Sequence, residues 1–215
     1  MGKEIKAFIR TETWSICDLP QGKTDVGYKW VFTIKFHADG SIERYKARLV
    51  AKGYTQQVGI DFIDTFSPVV KMVTVKVVLS LAPKMRWSLH QLDVSNAFLN
   101  SDLSEEIYMK LPLGYGELMG VEVSPNSVCR LHKSIYGLKQ ASRQWFSKFK
   151  STLVGFGFEK CHGYHTLFMK EANGHYLAVL VYVDDILIAS THDEAVVELK
   201  SQLSSAFQLS GSWSS

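Results

Sequence analysis

The chain has 215 residues, of which 46% are hydrophobic and 12% aromatic, so it contains enough apolar material for the core of one large domain. Its formal net charge of +3 is too small to identify a partner, so the positions of the cations matter more than their sum. The three cysteines are widely spaced and form no CxxC pair, which argues against a disulfide scaffold or a zinc finger.

No apolar run reaches the roughly 18 residues of a membrane-spanning helix, and the N-terminal MGKEIKAFIRTETW lacks the apolar centre of a signal peptide. We therefore expect an intracellular, cytoplasmic protein with no membrane partner. No repeat or flexible linker divides the sequence, which predicts a single domain over residues 1–215.

Residues 28–53 predict two strands joined by a turn at Asp39-Gly40. One face of the first strand is apolar and consists of Trp30, Phe32, Ile34 and Phe36, with Lys35 on the other face. In the second strand, the period of two puts three cations on one face, namely Arg44, Lys46 and Arg48, and Tyr45, Ala47 and Leu49 on the other. Considered alone, a row of cations is usually a solvated face.

Four further segments have helix or strand patterns. Residues 68–82 predict a helix that ends at Pro83, and 87–94 a strand that carries Asp93 to its end. Residues 140–157 predict a helix with an apolar stripe made of Trp145, Phe146, Phe149 and Leu153. The last helix, 193–207, has its own stripe of Val196, Leu199, Leu203 and Phe207, and 208–215 form a tail without pattern. This mixed order predicts the α+β class.

Two adjacent aspartates, Asp184 and Asp185, interrupt the apolar run LVYVDDILIAS. A two-residue turn could hold both at the tip of a hairpin with buried arms, 177–183 and 186–190. Two carboxylates about 4 Å apart repel by about 4 kcal/mol at an effective dielectric near 20, and a hard divalent cation would relieve this repulsion. Asp93 is the expected third carboxylate, because three carboxylates can hold two metal ions for phosphoryl chemistry.

Four motifs in this order resemble the reverse transcriptase domain of copia-type LTR retrotransposons. They are KWVFTIKFHADGSIERYKARLVAKGYTQQVGIDFIDTFSPVV, LDVSNAFLN, CRLHKSIYGLKQASRQWF and YVDDILIAS, and the resemblance runs from about Trp14 to Phe207. It implies a polymerase palm, an antiparallel sheet with helices on one face, together with fingers hairpins. It also implies an RNA-directed DNA polymerase that extends a primer on an RNA or DNA template with deoxynucleoside triphosphates.

The resemblance also implies roles for individual residues. Asp93, Asp184 and Asp185 would be the catalytic ligands of two Mg²⁺ ions, with Mn²⁺ as an alternative. Phe98 matches an aromatic that selects deoxynucleotides by crowding the sugar 2′ position, although plain core packing is the other interpretation. The incoming nucleotide would also contact Gln140, Lys35, Lys46 and Arg48. The nucleic acid would contact Arg44, Lys46, Arg48 and Arg143.

The sequence departs from the family in three places. Ser142 stands where a proline is usual, and Gly163-Tyr164 where Ser-Asp is usual. The family continues into a primer grip, a thumb and ribonuclease H, whereas this sequence stops at Ser215. We therefore expect a C-terminally truncated domain without a thumb, which adds few or no nucleotides alone and forms a complete enzyme with the rest of a Pol polyprotein.

Two other functions stay open on the sequence alone. A catalytically silent remnant, or a domesticated nucleic-acid-binding fragment, would fold in the same way without polymerising. A different phosphoryl-transfer enzyme would also use such carboxylates, but no Walker loop or zinc motif supports it.

Overall fold

The computed structural model describes residues 1–68, 70–94, 96–172, 174–207 and 209–210. Within these residues the chain forms five α-helices: α1 (Gly2–Arg10), α2 (Met72–Met85), α3 (Tyr115–Met119), α4 (Ala141–Gly155) and α5 (Asp193–Ala206). Two short 3-10 helices lie at Gly53–Thr55 and Ala97–Asn100.

The same residues form twelve strands. Seven come before α4: β1 (Trp14–Asp18), β2 (Asp25–Val26), β3 (Tyr28–Phe36), β4 (Ile42–Ala51), β5 (Ser88–Val94), β6 (Asp102–Lys110) and β7 (Ser127–Lys133). Five follow it: β8 (Glu159–Lys160), β9 (Leu167–Ala172), β10 (His175–Tyr182), β11 (Asp185–Ser190) and β12 (Leu209–Ser210). Strands and helices alternate irregularly along the chain, which confirms the predicted α+β class.

The chain divides into two compact units. The first comprises Met1–Thr65 and Ser101–Gln144, and the second comprises Phe66–Asn100 and the chain from Trp145 onward. The first unit contains a four-stranded sheet in the order β1-β7-β6-β2 and the separate hairpin β3-β4. The second unit contains a six-stranded sheet in the order β12-β5-β11-β10-β9-β8.

The predicted hairpin around Asp39-Gly40 is confirmed as β3 and β4. Its register pairs Lys35 with Arg44 and Thr33 with Lys46, and because directly opposite side chains share a face, the cations line one side of the ribbon. On the other side the apolar side chains near the turn are exposed, with Phe32 67% and Tyr45 76% exposed, whereas Leu49 near the base of the hairpin is fully buried.

The six-stranded sheet carries helices on both faces, so the prediction of helices on one face only is wrong. Val78 of α2 belongs to a cluster with Leu167 and Leu180, which are paired across β9 and β10. Phe168 points to the opposite face, where its ring centroid lies 6.2 Å from that of Phe146 in α4. The cause is visible in the sequence, because β10 is apolar at successive positions rather than at alternate ones.

The strand 87–94 and the helices 140–157 and 193–207 are confirmed as β5, α4 and α5 to within about two residues. The helix predicted over 68–82 begins instead at Met72 and does not end at Pro83. Pro83 lies in the last turn, where its missing N–H removes only one bond, and α2 ends when Arg86 adopts a left-handed φ of 54°.

The tail after α5 was predicted to lack structure, and this is wrong for two residues. Leu209 and Ser210 form β12, which pairs with Val94 and Asp93 of β5. Gln208 and residues 211–215 of the predicted tail lie outside the described residues.

Candidate functional site

The turn between β10 and β11 consists of Val183 and Asp184, so Asp185 is already the first residue of a strand. The prediction that Asp184 and Asp185 form the turn is therefore wrong by one residue. Val183 has a φ of +53°, which suits the first central position of a tight hairpin turn but is unfavourable for a β-branched side chain. Since glycine usually takes that position, nothing in the sequence points to Val183.

Asp93 and Asp185 lie directly opposite each other across β5 and β11. Residues paired in this way project from one face, with Cα atoms about 4.5–5.5 Å apart. The backbone N–H of Val94 donates to the carbonyl of Asp184 at 2.9 Å. Asp93 and Asp185 are exposed and Asp184 is half-buried. The ends of the two strands thus bring the three predicted aspartates to one corner of the sheet.

Gln91 is a polar neighbour of this corner that was not among the predicted site residues. Its amide Nε2 donates to Oδ1 of Asp185 at 3.1 Å. The period of two along β5 could have identified it, because Gln91 and Asp93 share a face.

The oxygen donors of the corner fit a hard divalent cation, since Mg²⁺ prefers carboxylate oxygens and water. Across the described part of the chain, no three His, Cys, Asp or Glu side chains are gathered as a metal-binding group. The carboxylates of Asp93, Asp184 and Asp185 would therefore have to converge on an ion by side-chain rotation.

Trp145 of α4 supports the turn from inside the second unit. Its indole N–H donates to the carbonyl of Val183, and its side chain is only 1% exposed. The indole ring lies against Phe149 and Phe207, with centroids 5.4 Å and 5.1 Å away. The helical pattern of the sequence places Trp145 in an apolar stripe, and such a pattern does not reveal where an indole N–H points.

Phe98 lies in the 3-10 helix that follows β5 and is 7% exposed, between the buried residues Ala97 and Leu99. This burial is compatible with core packing and with contact to a ligand at the protein surface. Its role in selecting the sugar stays a prediction.

Four of the predicted cations form the cationic face of the β3–β4 hairpin, namely Lys35, Arg44, Lys46 and Arg48. The Nε of Arg44 lies 3.4 Å from a carboxylate oxygen of Glu43, and the guanidinium of Arg48 lies 5.1 Å above the ring of Tyr136. Burial lowers the pKa of Lys46, and repulsion by Arg48 and Arg44 lowers it further. These like charges repel one another, and a polyanion bound along this face would relieve the repulsion.

Glu4 of α1 is an acidic neighbour of the same face. Burial raises the pKa of its carboxyl above the ordinary value of 4.5. A hydrogen bond from the backbone of Leu49 and the attraction of Lys46 and Arg48 act in the opposite direction but do not outweigh the burial.

Gln140 is fully buried, and its amide already has protein partners. Its Oε1 accepts from Nε2 of Gln56 at 3.1 Å, and its Nε2 donates to the carbonyl of Asp61 at 3.2 Å. Gln56 also accepts from the backbone N–H of Lys139 at 2.9 Å. Contact between Gln140 and a nucleotide would therefore require an exchange of these partners, and the sequence carries no signal for the role of Gln56.

Arg143, predicted to contact nucleic acid, is half-exposed and forms an ion pair with Asp64. The Nε of Arg143 lies 3.3 Å from Oδ2 of Asp64. Such an exposed pair contributes little to stability, about 0–1 kcal/mol, so a phosphate could compete for the guanidinium.

Among the helices formed by the described residues, none is both long and apolar enough to cross a membrane.

A family model described as reverse transcriptase (RNA-dependent DNA polymerase) matches residues 11–212. The chain is 43% identical over 210 residues to the retrovirus-related Pol polyprotein from transposon RE2 of Arabidopsis thaliana, covering 97% of this chain and 14% of that protein. The polyprotein from transposon RE1 of the same plant is 41% identical over 210 residues, with the same two shares. The polyprotein from transposon TNT 1-94 of Nicotiana tabacum is also 41% identical over 210 residues, covering 97% and 16%. The chain therefore spans only 14–16% of the length of these relatives.

Proposed function

Because the chain belongs to the reverse transcriptase family, as the reverse transcriptase domain of a copia-type retrotransposon Pol polyprotein, we propose that it acts as an RNA-directed DNA polymerase. In this proposal it adds deoxynucleotides to the 3′-hydroxyl of a primer on an RNA or DNA template. The observation that carries the proposal is the direct pairing of Asp93 with Asp185 beside the turn that holds Asp184. The second unit would form the polymerase palm and the β3–β4 hairpin part of its fingers.

Asp93, Asp184 and Asp185 would hold two Mg²⁺ ions, or Mn²⁺ in their place. Bound there, the ions would activate the primer hydroxyl and stabilise the charge on the departing pyrophosphate. Asp93 and Asp185 present their carboxylates from one face of the sheet, which favours simultaneous contact with a ligand. Gln91 orients Asp185 through its hydrogen bond.

The remaining predicted residues would contact the nucleotide, the primer and the template. The incoming nucleotide would contact Gln140, Lys35, Lys46 and Arg48, and its sugar would contact Phe98. Arg44, Lys46, Arg48 and Arg143 would neutralise backbone phosphates of the primer and template. The protein would work in the cytoplasm with the rest of a Pol polyprotein.

Primer extension on poly(rA) with an oligo(dT) primer tests the activity directly. With Mg²⁺ and the rest of a related Pol polyprotein supplied as a separate chain, we expect the wild-type chain to incorporate nucleotides. Asp185→Asn should lose about 100-fold or more of this activity, because it removes a proposed metal ligand and misplaced reacting groups are costly. The matched control is Glu171→Gln, which removes one negative charge from an exposed position on β9 of the same sheet. Equal activity of Asp185→Asn and wild type would contradict the proposal.

The metal site can be tested without turnover by replacing Mg²⁺ with Fe²⁺ and mapping hydroxyl-radical cleavage of the chain. Cleavage is expected next to Asp93 and around Asp184, and it should disappear in Asp185→Asn but persist in Glu171→Gln. Cleavage elsewhere, or a pattern that Asp185→Asn leaves unchanged, would count against these ligands.

A further inference from the structure

We propose that Trp145 is a positioning residue for the turn that carries the aspartates. Its indole N–H binds the carbonyl of Val183 and keeps Val183 in the conformation from which Asp184 and Asp185 are presented. The catalytic consequence of this inference rests on the proposed function, whereas the effect on the turn does not.

The conformation of Val183 needs support from outside the turn. A φ of +53° brings Cβ of an L-residue too close to the following carbonyl oxygen, and this disfavours the conformation by roughly 5- to 30-fold per residue. The β-branch of valine makes it a poor choice for such a position, which glycine normally occupies. Since the residue is not glycine, tertiary contacts must maintain the conformation.

Trp145 is well placed to supply that support. Its ring lies against Phe149 and Phe207 and is 1% exposed, so the direction of its N–H bond is fixed by packing. A buried N–H without an acceptor is costly, which favours the backbone conformation that points the carbonyl of Val183 at the indole. The hydrogen bond and the packing thus act together on one peptide unit.

The effect of Trp145 would reach the aspartates through the backbone. The peptide after Val183 leads into Asp184, whose carbonyl accepts the N–H of Val94, and into Asp185, which pairs with Asp93. If Val183 relaxed to a negative φ, this peptide would rotate and weaken both links between the two strands. By preventing this rotation, Trp145 would influence the position of the carboxylates without touching a substrate.

A double-mutant cycle isolates this role. The four chains are wild type, Trp145→Phe, Val183→Gly and the double variant, because glycine adopts positive φ without external support. The control is Trp87→Phe, since the buried indole N–H of Trp87 has no hydrogen-bond partner among the described residues. Benzothienylalanine at position 145 replaces the N–H with sulfur while keeping the ring shape, and it serves if Trp145→Phe does not fold.

The first readout is amide hydrogen exchange at Val94, whose N–H reports on the position of the Asp184 carbonyl. We expect Trp145→Phe to accelerate this exchange about 5- to 30-fold, and Val183→Gly to reduce the acceleration to about twofold or less. The second readout is Mn²⁺ affinity, measured by electron paramagnetic resonance, which should fall in Trp145→Phe and recover in the double variant. Trp87→Phe should leave both unchanged.

Equal acceleration of exchange in the valine and glycine backgrounds would overturn the inference, as would the same acceleration in Trp87→Phe. These measurements need no nucleotide. A chain that shows the coupling but never extends a primer, even with the rest of a related Pol polyprotein present, would therefore contradict the proposed polymerase activity and leave the role of Trp145 at the turn intact.

Discussion

The backbones of Gly53 and Gly137 approach each other so closely that a Cβ atom on Gly53 would overlap the carbonyl oxygen of Gly137. A Cβ on Gly137 would in turn overlap the carbonyl oxygen of Ala51, and Gly137 has a φ of +92°. The segment after β4 and the loop before α4 are therefore held together by main-chain contact.

Gly53→Ala and Gly137→Ala should each destabilise the chain by about 1–3 kcal/mol, because main-chain atoms cannot move aside as a flexible side chain can. Urea unfolding measures the change. Gly155→Ala is the control, since no atom lies within contact distance of its Cβ position and alanine is the better helix former at the end of α4. A Gly53→Ala chain as stable as wild type would show that the two segments can separate at little cost.

Replacement of Arg44, Lys46 and Arg48 by glutamine should weaken primer–template binding and flatten its salt dependence. Each lost phosphate contact should reduce the slope of log K against log salt by roughly 0.7–0.9. The control replaces three exposed lysines outside the hairpin, Lys84, Lys148 and Lys150, and removes the same charge. If both triple variants have the slope of the wild type, the cationic face is only solvated.

Phe98→Ala should reduce discrimination against ribonucleotides by roughly tenfold or more, because it removes a clash with the 2′-hydroxyl rather than a contact. The ratio of ribonucleotide to deoxynucleotide incorporation does not depend on the fraction of chain that is folded. The ratio is therefore a suitable readout, because replacing a buried phenylalanine with alanine lowers the free energy of unfolding by about 3–5 kcal/mol. Leu99→Ala, at the adjacent buried position, should lower stability and leave the ratio unchanged. An unaltered ratio in Phe98→Ala would assign Phe98 to the core.

Glu4→Gln should make the chain more stable than wild type at pH 7. The raised pKa of Glu4 means that the folded state favours its protonated form, so this contribution is complete below the ordinary pKa of 4.5 and is lost as the pH rises through the folded value. Glutamine keeps an acceptor for the backbone of Leu49 and carries no charge. Unfolding curves at pH 4 and pH 7 should show a difference between the two chains only at the higher pH. A less stable variant at pH 7 would mean that the attraction of Lys46 and Arg48 outweighs burial.

Much of the second unit was predictable because its signals are local. Asp93 ends an apolar strand and Asp184-Asp185 interrupt another, and the pairing of β5 with β11 places them as expected. The stripe containing Trp145, Phe149 and Leu153 follows from helical periodicity, and all three side chains are buried. In the first unit, the hairpin around Asp39-Gly40 follows from its turn residues and from the alternation along its strands.

The remaining features depend on contacts that a local pattern does not encode. The turn begins at Val183 because the hydrogen bond from Trp145 and the pairing of β5 with β11 select a conformation that valine does not prefer. The amide of Gln140 is occupied by Gln56, which is 84 residues away in sequence. The sheet formed by β1, β7, β6 and β2 was not predicted, because it joins strands from the two separate sequence segments that make up the first unit.

The two-residue strand β12 protects one edge of β5 from pairing with strands of other molecules. It pairs with Val94 and Asp93 on the side of β5 away from β11, so the part of β5 that carries Asp93 has a paired strand on each side. An unpaired edge at that point would offer its N–H and C=O groups to any extended segment of another molecule, the usual start of edge-to-edge aggregation. The carboxylate of Asp93 is thus open to solvent, while its main chain is closed to intermolecular β-pairing.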